Sequence, residues 1–118
     1  MNIEIIRKYC LEKPGVTESF PFDEETLVFK VMGKMFCLTG IDNPISLNLK
    51  CDPEHAIELR EEYDEVKPGY HMNKTHWNTV SIIGTLPDNM ILELIDESYD
   101  LVVKGLRKSD KIKLEQIN

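Results

Sequence analysis

The feature that most constrains the fold is a run of strand-forming residues between positions 26 and 50, broken twice by turn residues. Residues 26–31 and 34–39 are rich in β-branched, aromatic and other apolar side chains, and Met32-Gly33 separates them. In residues 45–50, apolar and polar side chains alternate strictly. Period-two alternation with short connections is typical of antiparallel hairpins. The sequence therefore predicts three consecutive strands in a meander.

Three helices and a fourth strand are predicted around this meander. The first helix follows the capping residue Asn2 and ends before Pro14-Gly15, and the second begins at Asp52-Pro53, a cap followed by proline at the first helical position. Residues 77–83 return to strand character. Residues 87–105, whose apolar side chains recur every three or four positions, are predicted as the longest helix. The tail, residues 109–118, is expected to fray.

The resulting order, α-β-β-β-α-β-α, predicts one α+β domain over residues 1–118. Strands joined mainly by hairpins give a largely antiparallel sheet, and the amphipathic helices pack on one of its faces. We expect the opposite face of the sheet to be partly open.

Charge and composition disfavour several classes of protein. The net charge of −7 opposes attraction of the whole molecule to nucleic acid or to anionic lipid. No apolar run approaches the roughly 20 residues of a membrane span, and the N-terminus lacks a secretory pattern, so we expect a cytoplasmic protein without a membrane partner. Three cysteines at unrelated spacings, Cys10, Cys37 and Cys51, predict buried thiols rather than disulfides.

The densest collection of chemistry-bearing residues is the segment of residues 70–78. It contains Tyr70, His71, Asn73, Lys74, His76, Trp77 and Asn78. Residues 66–87 hold no acidic side chain although the protein is acidic overall. A cation, amides, imidazoles and aromatic faces suit a planar or anionic ligand, such as a nucleic-acid backbone, a phosphate or a cofactor headgroup. The competing interpretation is structural, with Trp77 in the core and the polar residues holding turns.

Neither a metal centre nor a catalytic site is predicted. His71 and His76 are five positions apart, which places them on opposite faces of a strand and off a common helix face. His55 is interpreted as a partly exposed residue inside the second helix. No nucleophile elbow, phosphate-binding loop or dinucleotide fingerprint is present. We therefore expect no cofactor and no enzymatic reaction.

The pattern P-G-Y-H-M-N-K-T-H-W-N-T-V over residues 68–80 resembles the MmcQ/YjbR family. The resemblance extends to Phe20-Pro21-Phe22, to the 29–36 hairpin, to residues 46–54 and to Ser98-Tyr99. It implies a CyaY-like α+β fold, described for the family as a double wing, and a DNA-binding role. By the same resemblance, the family's polar patch falls on Lys50, His71, Asn73, Lys74, His76, Trp77 and Asn78.

Three functional hypotheses remain open at this level. The first is a nucleic-acid-binding or regulatory module, with Lys50, Lys74 and the basic residues near the C-terminus on phosphates and Tyr70 or Trp77 stacking on bases. These C-terminal residues are Lys104, Arg107, Lys108, Lys111 and Lys113. The second is a pocket for a small anionic metabolite, formed by the same 70–78 segment. The third is a protein-interaction domain that uses the open face of the sheet.

Overall fold

The computed structural model describes residues 1–41 and 46–117, which form a six-stranded sheet and four helices. The helices are α1 (Ile3–Leu11), α2 (Pro53–Glu62), α3 (Asp88–Lys104) and α4 (Lys108–Glu115). The strands are β1 (Val16–Ser19), β2 (Thr26–Val31), β3 (Lys34–Gly40), β4 (Ser46–Lys50), β5 (Val66–Pro68) and β6 (Trp77–Ser81). All pairings are antiparallel, in the order β1-β2-β3-β4-β6-β5. The predicted α+β class is confirmed.

The β2–β3 hairpin forms at the predicted place because its two turn residues adopt left-handed backbone angles. The φ angles of Met32 and Gly33 are 48° and 82°, and a two-residue type I′ turn requires positive values at both positions. Val31 therefore pairs with Lys34. The next turn is predicted at residues 40–44, of which residues 42–44 lie outside the described residues. Ile45, the first residue of the predicted third strand, also lies outside them.

One buried cluster joins the helices to a single face of the sheet. It contains apolar side chains from all four helices and alternate side chains from the strands, among them Ile6, Ala56, Ile95 and Leu114 with Phe29. Asn2 caps α1 by accepting the Ile5 N–H at 2.9 Å, as predicted. Along the part of the chain that the structure describes, no helix combines the length and apolarity that crossing a membrane requires.

A β-bulge in β3 fixes the position of α3 on the sheet. Phe29 pairs with Cys37 and Lys30 pairs with Met35, so Phe36 between them has no opposite residue in β2. The buried Ser98 of α3 reaches this point. Its hydroxyl accepts the Lys50 N–H at 2.8 Å and donates to the Phe36 carbonyl at 2.5 Å. The helix is thereby hydrogen-bonded to β3 and β4 where the bulge interrupts the sheet.

Three elements were absent from the predicted order. Strands β1 and β5 lie at the two edges of the sheet and are only four and three residues long. Neither shows a strong apolar alternation, because no residue of β1 is fully buried and only Val66 of β5 is. The tail expected to fray instead forms α4, whose Leu114 is buried. Tertiary contact at Leu114 stabilises this helix, whereas its sequence shows little amphipathic pattern.

Candidate functional site

The face of the sheet opposite the helices, here the outer face, carries a distinct set of side chains. Along each strand, every second side chain points away from the helices, except where the bulge in β3 interrupts the alternation. The central row across the sheet runs Ser19, Val28, Leu38, Asn48, Thr79 and Lys67. Val28 and Leu38 are buried even though neither belongs to the cluster under the helices. Something other than a helix therefore covers this part of the outer face.

Two loops flank Leu38 on the outer face and leave a cleft of about 710 Å³ between them. One wall is the β1–β2 loop, with Phe22 and Asp23, and the other is the start of the 70–78 segment. Leu38 and Asn48 line the cleft from the outer face of the sheet. From the 70–78 segment, the cleft is lined by Tyr70, His71, Met72 and Asn73. This volume lies within the usual range of ligand pockets, about 300–1,000 Å³.

The 70–78 segment connects β5 to β6 as a tight loop with its own hydrogen bonds. Gly69 N–H donates to the Trp77 carbonyl at 2.9 Å, and Trp77 N–H donates to the Asn73 carbonyl at 2.9 Å. A side chain at Gly69 would bring its Cβ to 2.8 Å from the Trp77 Cβ, so this close approach requires glycine. His71 has a φ of 61°, an uncommon angle for a residue with a side chain.

Arg60 of α2 holds this loop from the helix side of the sheet. Its Nε donates to Asn78 Oδ1 at 2.6 Å, and its Nη2 donates to the carbonyl oxygens of Lys74 and Trp77. Asn78 is 1% exposed and donates through Nδ2 to the Ala56 carbonyl at 3.4 Å. Asn78 therefore positions the loop through its contacts within the protein.

The other predicted site residues divide between the cleft and the exposed rim of the loop. Tyr70 is 69% exposed, and its ring centroid lies 4.1 Å from that of His71, at an interplanar angle of 50°. Asn73 Oδ1 accepts the Thr75 N–H at 2.9 Å. Lys74 is exposed and its Nζ donates to the Gly69 carbonyl at 2.9 Å. His76 is exposed, while its carbonyl accepts the Cys51 N–H at 2.8 Å.

Lys50 and Trp77 are partners across β4 and β6, and both are half-buried on the outer face. Lys30 and Lys67 occupy outward positions of β2 and β5. Among the described strand residues, the outward positions carry these three lysines and no acidic side chain. The outer face is therefore locally basic on an acidic protein, because α2 and α3 carry much of the acid elsewhere.

Asp23 is an acidic residue in the wall of the cleft. Backbone N–H groups of Glu25 and Thr26 donate to its Oδ1 at 2.8 and 2.6 Å. These bonds lower the pKa of the Asp23 carboxyl below its ordinary value. The charged carboxylate thus holds the turn into β2 and gives the Phe22 wall a fixed shape.

Sequence reasoning missed Arg60, Asn48 and the aromatic wall at Phe22, because tertiary contacts alone bring them to the 70–78 segment. It also missed a second cluster. Among the residues that the structure describes, one group of three side chains has the ligand atoms to hold a metal ion, namely Cys51, His55 and Glu97. Cys51 precedes the cap of α2 and lies outside the helix, so the helical spacing rule did not link it to His55 in sequence. Nothing local pointed to Glu97, which comes from α3.

The Cys51 thiol is no activated nucleophile in this arrangement. Burial and the neighbouring Glu97 carboxylate raise its pKa to about 12. A thiol with so high a pKa stays protonated at neutral pH and donates to Glu97 Oε2 at 3.3 Å. The proximity of His55 therefore does not make a Cys–His catalytic pair.

Comparisons with known proteins agree with the fold and the sequence pattern. The family model described as YjbR matches residues 11–101. The Escherichia coli K12 protein YjbR is 36% identical over 99% of this chain and 100% of its own length. YbdF of Escherichia coli O157:H7 is 38% identical over 92% of this chain and 89% of its own.

A solved structure gives the same result in three dimensions. The crystal structure of Deinococcus radiodurans protein DR2400, with the family-model domain DUF419, matches with a TM-score of 0.90 and 44% identity, over 97% of this chain and 88% of that one. A Pseudomonas syringae crystal structure matches with a TM-score of 0.72 and 29% identity, over 86% of this chain and 98% of that one. The resemblance drawn from residues 68–80 is confirmed, and the chain belongs to the YjbR family.

Proposed function

We propose that the outer face binds single-stranded nucleic acid, with a base in the cleft and the flanking phosphates on the outer-face lysines. The observation that carries the proposal concerns the face of the sheet opposite the described helices. This face holds a cleft lined by Phe22, Tyr70 and His71, and its described outward strand positions carry lysines and no acidic side chain. Proteins that bind single strands combine a basic path for the backbone with aromatic side chains on which bases stack.

The cleft offers both stacking and hydrogen bonding to a base. Tyr70 presents its ring at the cleft and loses little conformational entropy on binding, because it has only two side-chain torsions. Asn48 Oδ1 accepts a hydrogen bond from Thr79 Oγ1, which leaves its amide group oriented to donate. Asn73 lies on the opposite wall. A base edge between these two amides would be read by hydrogen bonds while Tyr70 covers its face.

The charges favour a flexible strand over a duplex. A net charge of −7 gives no long-range attraction, so binding depends on short contacts to Lys50, Lys67, Lys30 and Lys74. The cleft is concave and short, whereas duplex readout needs an element that enters a groove. If three or four phosphates are neutralised, the logarithm of the binding constant should fall with the logarithm of the salt concentration with a slope of about −2 to −3. Binding should therefore weaken about 20- to 60-fold between 50 and 200 mM salt.

Titration of Trp77 fluorescence with short single-stranded and duplex DNA at those two salt concentrations tests the proposal. We expect saturable single-strand binding that Lys50→Ala and Lys67→Ala each weaken while lowering the salt slope by about 0.7. Lys104→Ala is the matched control, because Lys104 is an exposed lysine at the end of α3. A Lys104→Ala effect equal to that of Lys50→Ala, or no single-strand binding by the folded protein, would contradict the proposal.

The volume of the cleft favours a second candidate, a small anionic metabolite bound by the same walls. Chain length separates the two functions. If a mononucleotide or another small anion raises the unfolding temperature as much as an oligonucleotide at equal site occupancy, and Asn73→Ala removes the effect, the cleft serves a small ligand. If affinity grows with oligonucleotide length, the neighbouring lysines contribute phosphate contacts.

A further inference from the structure

Three side chains from three separate elements meet at the start of α2, on the helix side of the sheet. Cys51 follows β4, His55 lies in the first turns of α2, and Glu97 lies in α3. Their ligand atoms all lie within 4.8 Å of one another. The group is independent of the cleft and is called the Cys51 cluster below.

We propose that the Cys51 cluster binds a divalent transition-metal ion, with Zn²⁺ as the reference ion. Thiolate sulphur, imidazole nitrogen and carboxylate oxygen are the three ligand types that proteins use for zinc. Each residue of the cluster supplies a different one. Such a mixed set does not suit Ca²⁺ or Mg²⁺, which take oxygen ligands.

Two of the three ligand separations are near those of a tetrahedral site, and Cys51 and His55 contact different oxygens of Glu97, so one ion would require the carboxylate to turn. Bond lengths of about 2.3 Å to sulphur and 2.0–2.2 Å to nitrogen and oxygen imply ligand separations of about 3.6 Å for S–N, 3.6 Å for S–O and 3.4 Å for N–O. In the cluster, Cys51 Sγ lies 3.6 Å from His55 Nδ1 and 3.3 Å from Glu97 Oε2. His55 Nδ1 and Glu97 Oε1 are 2.7 Å apart, which is a hydrogen bond. An ion would replace this bond, and the pair would open by about 0.7 Å.

The surroundings suit three protein ligands and one open position. Cys51 is 4% exposed, whereas the side chains of His55 and Glu97 are 40% and 24% exposed. Solvent therefore reaches the cluster from the His55 side and can supply the fourth ligand. Glu97 Oε2 also accepts the Asp52 N–H at 3.2 Å, an outer contact of the kind that orients metal-binding carboxylates. Binding of the ion would release the Cys51 thiol proton to solvent, and the resulting thiolate and the Glu97 carboxylate would together balance the charge of a divalent ion.

Titration of the tag-free, chelator-treated full chain with Co²⁺, followed by displacement with Zn²⁺, tests the site. We expect one equivalent of Co²⁺ to bind and to produce the near-ultraviolet absorption of a cobalt–thiolate bond, which one equivalent of Zn²⁺ removes. Cys51→Ser should abolish that band. Loss of an outer-shell partner already weakens metal sites about 10- to 100-fold, so His55→Ala and Glu97→Gln should each weaken Zn²⁺ binding by at least about 100-fold.

His76→Ala is the matched control, because His76 is an exposed histidine outside the cluster. It should leave the stoichiometry and affinity unchanged. Circular dichroism establishes whether each variant is folded. If Cys51→Ser does not fold, His55→Ala still tests the site, because the His55 side chain is partly exposed and its loss should not unfold the protein. The absence of a thiolate band at 100 μM protein and equimolar Co²⁺, or equal Zn²⁺ affinity in the wild type and His55→Ala, would overturn the proposal.

Discussion

The two faces of the sheet are built from the same six strands but use their side chains differently. On the helix face, Ser98, Asn78 and Arg60 join helices to strands, and among the described residues every buried side-chain nitrogen or oxygen has a partner. On the outer face, large apolar and aromatic groups such as Phe22 and Tyr70 remain 64% and 69% exposed. The helix face holds the buried core that specifies the fold, whereas the outer face carries the two most exposed aromatic side chains among the described residues.

The largest expected contrast is between two phenylalanines. Phe29 is fully buried under the helices, whereas Phe22 stands in the wall of the cleft. We expect Phe29→Ala to lower the free energy of unfolding by about 3–5 kcal/mol, and Phe22→Ala to change it by less than about 0.5 kcal/mol. Urea unfolding followed by circular dichroism measures both. A loss above about 2 kcal/mol for Phe22→Ala would show that the outer wall is part of the stabilising core.

The next effect concerns the hydroxyl that bridges the bulge. Ser98→Ala removes the partner of both the Lys50 N–H and the Phe36 carbonyl without changing the fold elsewhere. Each unpaired buried group costs about 1–3 kcal/mol, so we expect a loss of about 2–4 kcal/mol in urea unfolding. Ser81→Ala, a half-buried serine on the outer face, should lose less than about 1 kcal/mol. Equal losses of unfolding free energy for Ser98→Ala and Ser81→Ala would contradict the stronger structural role assigned to the helix face.

Arg60 connects the two faces, and its replacement should affect the cleft more than the global fold. Arg60→Ala leaves Asn78 Oδ1 and the Lys74 carbonyl without their guanidinium donor. We expect a loss of about 1–3 kcal/mol in unfolding free energy and faster amide hydrogen exchange confined to residues 69–78. Arg60→Lys keeps the positive charge but not the forked donor geometry, so it should give most of the same increase in amide exchange rate. Unchanged amide exchange in residues 69–78 would show that Arg60 does not stabilise the cleft from the helix side.

The smallest effect is a pH dependence at the edge of the sheet. Arg7 donates to both Glu18 oxygens, at 2.6 and 2.7 Å, and this lowers the pKa of the Glu18 carboxyl from its ordinary value. The pair therefore stabilises the fold above the unfolded pKa, and its contribution is lost as the pH falls through the folded pKa. Glu18→Gln should be less stable than wild type at pH 7, with a gap that closes in acid. Glu12→Gln, at the exposed position that follows α1, should show no such closing gap.

Local signals account for the parts of the fold that were predicted correctly. The turn residues Met32-Gly33, the alternation in β4 and the cap at Asp52 each act over a few positions, and each was identified. The edge strands and α4 depend on partners far along the chain, such as Val31 for Val16 and the core around Leu114. Their sequences alone contain no comparable signal.

The same division applies to the candidate site. The composition of residues 70–78 was visible because it is contiguous, but it did not separate Asn78, which is buried, from Tyr70, which is exposed. The other wall of the cleft, at Phe22 and Asp23, lies about 50 positions earlier and meets the segment only through the sheet. Its contribution could not be inferred from sequence spacing.

The position of Pro68 bears on how the molecule meets copies of itself. β5 is the edge strand beside the 70–78 segment, and it consists of three residues ending in Pro68. Proline has no N–H to offer a further strand, and a ladder of three residues gives little to pair with. Edge-to-edge addition of another sheet is therefore disfavoured on this side. The protein can keep an exposed aromatic loop at the rim of its sheet without making that rim a template for aggregation.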